Sequence, residues 1–407
     1  MKSRRGRRER NILRNLNKNL YKQFKTKTIM KLSKLMLSAF AAAAALVACN
    51  KVETDDVNLN QFKSVELSLA NVQFMTKADA GAEIKNGDAV KVSSFQVYFT
   101  DGTSLYTPKD KDGNDVVAYY TAAADGSIAA LAAVQNYHFL PDAVDKVIVI
   151  GNLPQNTTAK TVADLNTTLK VAEQQAQTGL TLYAESQLVT SGQHVETTDG
   201  HTALVYKATC NLMPRVARLE VKSVGMTFNA NPHLFSKVEF KKIAFVDYYE
   251  NSNLATAAAT APLMDLDFSS DVPVFNYLNA LTPSWNNDTV AGAALATNAA
   301  DANKVATNIS YSFFPGSVKP ALVMSLDATA AGSTTAAPAY VFTNNFRYGS
   351  TDLSAMNFAD GTLGFCPGYI YRMDFIFDES NLNHQDKCID VTVTVDTWKV
   401  VAVTPIF

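Results

Sequence analysis

The stretch Ile389 to Phe407, IDVTVTVDTWKVVAVTPIF, constrains this chain more than any other. Ile389, Val391, Val393 and Val395 alternate with Asp390, Thr392 and Thr394, the period-2 pattern of a strand with one buried face. After Asp396 the phase changes: Trp398 and Val400 carry the apolar face on even positions, and Val401 and Val403 return to odd ones. A slip of one residue turns every later side chain to the other face unless a bulge absorbs it. The pattern therefore predicts a bulge or kink near Asp396–Thr397 and two short linked strands. Such a segment either closes the sheet of its own domain or is donated to a neighbour's open sheet edge.

A chain of 407 residues suggests two or three domains. Its formal charge of −2 hides an asymmetry. Residues 1–48 hold 13 Lys and Arg and one acid, Glu9, which leaves 23 basic against 37 acidic residues from Cys49 onward. A balance near −14 over that part argues against nucleic acid as a partner. The RRGRRER run near the N-terminus reads as a basic arm only if taken alone. Met30 opens a complete export signal and is an alternative start: Lys31 and Lys34, the apolar run Leu35 to Ala48, then Cys49. That run is too short to span a bilayer and suits a signal-peptide core.

Leu46 to Cys49, LVAC, resembles a bacterial lipoprotein signal, in which the peptidase cuts before the Cys and the thiol takes a diacylglycerol. Several palmitate-like acyl chains hold a protein stably on a membrane. Asn50, where inner-membrane retention favours Asp, implies the outer membrane. With Cys49 lipidated, Cys210, Cys366 and Cys388 remain, so at most one disulfide forms and one thiol stays free. No Cys or His spacing suggests a metal.

Lys51 to Gln61 reads as a polar tether. Val65, Leu67 and Leu69 alternate with polar or small residues, and the apolar phase then shifts to Val72 and Phe74, a break like that of the last strand. The polar stretch Met75 to Asp88 follows, with Lys77 and Lys85 where a protease would reach the chain. Val90 to Phe99 reads as a strand before an Asp101-Gly102 turn. Asp110, Asp112, Asn114 and Asp115 invite comparison with a calcium loop, but Gly113 is misplaced for an EF-hand and Thr121 stands where the twelfth-position Glu belongs, so a solvated hairpin tip is expected. DKVIVIGN, Asp145 to Asn152, reads as a central strand, and Thr161 to Thr178 as a short helix or lid. Strands are expected again at Leu180 to Val189 and Ala203 to Leu212, with a turn-like run, Ser191 to Thr202, between them. A domain boundary is placed near MPRVARLEVKSV, Met213 to Val224. Beyond it lie a strand at Val238 to Tyr249, long surface loops around short strands over Asn251 to Ala306, and strands at 308–314, 321–326, 339–346 and 369–377.

Many short strands with few helices argue for an all-β chain of two β-sandwiches. The layout is a leader and signal at 1–48, an N-terminal sandwich at 49–210 with its first strand at 65–74, a C-terminal sandwich at 211–388, and the terminal segment 389–407. His138, His194, His201, His233 and His384 are scattered, and no nucleophile elbow, P-loop or dinucleotide motif occurs, so neither an enzyme nor a cofactor is expected. Trp285 and Trp398 are the sole tryptophans, sparse for a protein that stacks sugars.

ACNK at 48–51, the strand and cut-site arrangement from Val65 to Asp88, DKVIVIGN, MPRVARLEV and VTVTVDTWKVV together resemble the fimbrillins, the type V pilus subunits of Bacteroidales. The resemblance spans most of residues 49–407. It implies transthyretin-like sandwiches and a subunit that reaches the outer membrane as a lipoprotein and ends in a cell-surface fimbria. A trypsin-like protease then removes the first strand with its lipid, and a strand from another subunit fills the groove. Carried over, the lipidated residue is Cys49, the cut falls between Lys77 and Ala78, and the donor presents Val391, Val393, Val395, Trp398 and Val400. Lys77 departs from the Arg of the Porphyromonas pattern, which leaves Lys85 or another protease as alternatives. The implied partners are further copies, anchor and tip subunits, and host or bacterial surfaces. An uncleaved lipid-bound anchor and a glycan-binding lipoprotein are the other readings.

Overall fold

The computed structural model describes residues 62–70, 72–75, 89–123, 128, 134–175, 180–198, 201–227, 232–255, 259–264, 287–296, 304–348, 351–353, 364–382, 388–397 and 399–403. The chain divides into Met1–Asn58, which lies outside the described residues, and a unit from Leu59 to Phe407 that holds every strand named below.

In chain order the first strands are β1 Phe62–Ala70, β2 Val72–Met75, β3 Ala89–Lys91, β4 Ser94–Thr100, β5 Leu105–Tyr106, β6 Tyr119–Thr121, β7 Gln135–Pro141, β8 Lys146–Gly151, β9 Thr168–Lys170, β10 Leu182–Gln187, β11 Val189–Thr198, β12 His201–Asn211 and β13 Met213–Pro214. There follow β14 Ala217–Thr227, β15 Phe235–Val246, β16 Tyr248–Asn253, β17 Ala259–Met264, β18 Asn287–Ala296, β19 Lys304–Phe313, β20 Ala321–Ala330, β21 Ala336–Tyr348, β22 Thr351–Asp352, β23 Tyr369–Asp378, β24 Cys388–Thr397 and β25 Lys399–Val403. The all-β expectation holds.

Strands up to β13 supply a four-stranded sheet, β11-β12-β1-β7, and a six-stranded sheet, β13-β10-β8-β4-β5 with β6 on β4. Strands from β14 to β24 supply a nine-stranded sheet, β18-β15-β20-β21-β24-β23-β14-β19 with β22 on β21. Two small sheets mix the halves: β17-β16-β9, and β2-β25-β3.

β8 and β4 are central because both their faces are apolar: Val147, Ile148, Val149 and Ile150 in one, Phe95, Val97, Tyr98 and Phe99 in the other, all buried. Asn152 ends β8 at φ 61°, a left-handed value that Asn tolerates. Its side chain accepts from the Ser93 N–H at 2.8 Å and donates to the carbonyls of Lys91 and Leu180 at 2.9 Å each. One residue thereby joins three chain segments, which gives the end of DKVIVIGN its meaning. In the other half, Phe245 stacks on Tyr311 at 5.2 Å and Phe365 meets Tyr371 edge-on at 4.6 Å.

Side chains also tie the halves together. Arg215 lies 3.8 Å over the Tyr183 ring and donates to the Ala255 carbonyl at 2.8 Å. The Gln175 amide donates to the Ser312 carbonyl at 2.8 Å and accepts its N–H at 3.0 Å, imitating a peptide.

Three local expectations are refined. Among the described residues of Thr161 to Thr178 there is no α-helix: a 3-10 turn, Val162–Leu165, is capped by Thr161 and Asp164, and after Asn166 turns extended the chain pairs as β9 before a second turn, Val171–Gln174. Of the run Ser191 to Thr202, the described residues belong to β11 up to Thr198 and to β12 from His201, which pair antiparallel through a register shift between Thr190 and Val195. Within Asn251 to Ala306 the described residues include β17 and the ten-residue β18, the latter laid along β15. The hairpin tip is as expected, with Asp110 accepting the backbone N–H groups of Asp112 and Asn114.

Candidate functional site

β1 lies inside its sheet rather than at an edge. It runs parallel to β12, with Val65 opposite Tyr206, Glu66 opposite Lys207, Leu67 opposite Ala208 and Leu69 opposite Cys210. It runs antiparallel to β7, with Val65 opposite Tyr137 and Leu67 opposite Gln135, after a register shift between Lys63 and Val65. Val65 and Leu67 are buried, and so are Tyr137, Leu140, Val205, Ala208 and Cys210 around them. Burying a Val or Leu side chain stabilises by about 1.5–3 kcal/mol, so this strand is held firmly while present. Taken away, it leaves an apolar slot with an unpaired edge on either side.

Polar contacts surround that apolar pair. The Lys63 ammonium donates to the Val144 carbonyl at 2.9 Å, lies 3.3 Å from the Asp142 carboxylate and sits 4.7 Å over the Tyr206 ring. Ser64 Oγ is 3.1 Å from His138 Nδ1. Glu66 pairs with Lys207 at 3.1 Å. Ser68 Oγ is 3.2 Å from Thr209 Oγ1. Tyr137, on the floor, meets Tyr120 hydroxyl to hydroxyl at 3.1 Å, and burial pushes its phenol well above the usual range.

Burial likewise pushes the Cys210 thiol up to about 12, so it stays protonated and unreactive at neutral pH. Cys210, Cys366 and Cys388 are all free thiols, the first two buried and the third half-buried. Native protein treated with a maleimide is expected to label at Cys388 alone among these three, with Cys210 and Cys366 reacting only in denaturant; peptide mass mapping checks this.

β2 and β3 flank the stretch that carries Lys77 and Lys85, and β25 lies between them, parallel to both: Val400 is opposite Val72 on one side and Val90 on the other. Cys49, Lys77, Ala78 and Trp398 lie outside the described residues. Val391 and Val393 are buried in β24, which runs parallel to β21 and antiparallel to β23. Val395 pairs with Tyr371 in that ladder. The five donor candidates are therefore divided, three in β24 and Val400 in β25; the bulge expected at Asp396–Thr397 is not found, since these residues pair in unbroken register with Ile370 and Tyr369.

The C-terminal half repeats the β1 arrangement. β14 runs parallel to β23, with Leu219 opposite Tyr371, Glu220 opposite Arg372 and Val221 opposite Met373, and antiparallel to β19. An aliphatic–Glu–aliphatic triplet faces Tyr–base–aliphatic in both halves. Lys63, Tyr206 and Lys207 escaped the sequence reading because their significance depends on which strands pair; the common triplets VEL and LEV were the available signal. Among the described residues no three His, Cys, Asp or Glu side chains are grouped to hold a metal ion.

No protein-family model matches the sequence, and no curated protein matches it. Several solved structures are similar to it. One is a candidate cell adhesion protein from Parabacteroides distasonis, 12% identical, covering 86% of this chain and 98% of that one at a TM-score of 0.49. Another, from Bacteroides eggerthii, is 13% identical over 87% of this chain and 100% of that one, at 0.48. A fimbrilin from Porphyromonas gingivalis is 10% identical over 84% of this chain and 99% of that one, at 0.48. Fimbrial and adhesion proteins of Bacteroidales are thus the structures this chain resembles.

Proposed function

We propose that the chain is a structural, non-catalytic subunit of a surface fimbria that serves adhesion. It is exported as an outer-membrane lipoprotein through Cys49, cut between Lys77 and Ala78, and polymerised when a strand of another copy enters the slot of β1. The observation that carries this reading is the position of β1: an inner strand paired on both sides through Leu67, with Val65 and Leu67 buried, followed within a few residues by a lysine-bearing polar stretch. Cutting there would detach the lipid and the plug together. Refilling the slot restores one ladder with another, and head-to-tail repetition of the contact builds an open filament. The donor comes from the C-terminal segment bearing Val391, Val393, Val395, Trp398 and Val400. Its partners are further copies and the anchor and tip subunits of the same fibre.

A second reading, an uncleaved lipid-bound anchor, is favoured by the burial of Val391 and Val393 in the chain's own sheet. Intact mass and N-terminal sequence of protein sheared from cells, with and without inhibitors of trypsin-like proteases, decide between them. An N-terminus at Ala78 in high-mass material is expected. Monomeric protein that begins at acylated Cys49 would overturn the stalk reading in favour of the anchor.

A further inference from the structure

We propose that the β1 slot selects its occupant by charge as well as by apolar alternation, and that the matching strand of a second copy is Lys387–Val393. This rests on the strand-exchange reading above and specifies its register. Alternation alone cannot set that register, because a shift of two residues keeps every apolar side chain on the same face. Charged contacts at fixed positions can.

The slot provides two such positions. Asp142 and the Val144 carbonyl, from the segment between β7 and β8, and the Tyr206 ring, from β12, converge on the Lys63 ammonium, whose side chain is 12% exposed. All three remain when β1 leaves, and a carboxylate, a carbonyl and an aromatic face together suit a lysine head group. Three residues further along, Lys207 pairs with Glu66 and stays behind as a cation facing the outer side of the slot. An occupant must therefore offer a lysine, then an aliphatic residue two positions later, then an acid, with aliphatics continuing at every second place.

β1 supplies this as KSVELSL, Lys63 to Leu69. The sequence supplies it again as KCIDVTV, Lys387 to Val393, matching class for class: Lys with Lys, Ser with Cys, Val with Ile, Glu with Asp, Leu with Val, Ser with Thr, Leu with Val. β24 also occupies, in its own half, the same kind of slot as β1, with a parallel neighbour on one side and an antiparallel one on the other.

In this register Asp390 meets Lys207, and Ile389, Val391 and Val393 stand opposite Tyr206, Ala208 and Cys210. The register two residues along places Val391, Val393 and Val395 there instead. It sets Thr392 against Lys207 and brings Ile389 to the Asp142 carboxylate, so neither charge is answered.

The test is crosslinking in filaments sheared from cells that make the full chain. One variant carries Thr209→Cys with Thr392→Cys, which stand opposite in this register, and the other Thr209→Cys with Thr394→Cys, which stand opposite in the register two residues along. Thr209, Thr392 and Thr394 are exposed, so these replacements disturb no core and leave Lys207 and Asp390 in place. A short bismaleimide should give a ladder of covalent oligomers from the first variant and not from the second. A ladder from the second alone overturns the register and leaves strand exchange standing. Filaments that give no ladder from either exclude this segment as the occupant. Absence of filaments from the unaltered chain removes the strand-exchange reading itself and this inference with it. As an independent readout, Asp390→Lys should lower filament yield by about fivefold, as expected for an exposed pair, and adding Lys207→Glu should restore it. Loss without restoration would mean that Asp390 acts only on folding.

Discussion

Val393→Asp is expected to unfold the C-terminal half, whereas a chain that stops before Lys399 is expected to keep that half's unfolding transition. Val393 is 1% exposed and paired with Met373 in the middle of the nine-stranded sheet. A carboxylate there has no cation opposite and must either be buried unpaired or take up a proton. Both routes add to the lost valine contacts, for a total of about 4 kcal/mol or more, a large share of the 5–15 kcal/mol that holds a typical domain. Among the described residues β25 pairs with β2 and β3 and with no strand of the nine-stranded sheet. Its removal frees a small three-stranded ladder and leaves β24 in place. Urea unfolding followed by tyrosine and tryptophan fluorescence and by far-UV circular dichroism checks the pair. Equal destabilisation by the two changes would show that β24 and β25 act as one element rather than as a core strand and an appendage.

That division was only half legible in the sequence. The phase break after Asp396 announced two strands, and β24 and β25 are two, although Asp396 and Thr397 continue the β23–β24 register without the bulge that the pattern predicted. Alternation could not say which sheet each strand joins, because a strand in its own core and a strand made for another molecule present the same period of two. DKVIVIGN declared a central strand because a run apolar on both faces has nowhere else to go. Thr161 to Thr178 misled because apolar residues at Val162, Leu165 and Leu169 fit a helical spacing, while Thr161, Asn166 and Thr167 favour caps and extended backbone that break it after one turn. Lys63 and Lys207 were invisible for a different reason: a lysine gains a role only from its partners, here more than 70 residues away along the chain in each case.

The repeated triplet supplies the second large effect. Glu220→Ala is expected to cost about 3–5 kcal/mol and Glu66→Ala no more than about 1 kcal/mol, although both glutamates occupy the same place in their strand pairs. Glu220 is 2.7 Å from Arg372 Nε and 2.9 Å from Arg218 Nε, and the three side chains are 13%, 12% and 9% exposed. Burial pulls the Arg218 guanidinium below its ordinary range, and the Glu220 carboxylate opposes that pull. Removing the carboxylate leaves two buried guanidinium groups facing each other without it. Glu66 and Lys207 are 30% and 58% exposed, so water replaces either partner at small cost. Thermal unfolding of the two single variants, with Glu220→Gln as a shape-conserving control, measures the difference. The physical consequence reaches the proposed function. At this position β14, which must stay, is fastened by a buried charge network, while β1, which the proposal requires to leave, is fastened by an exposed pair that releases easily and leaves Lys207 ready for the next acid.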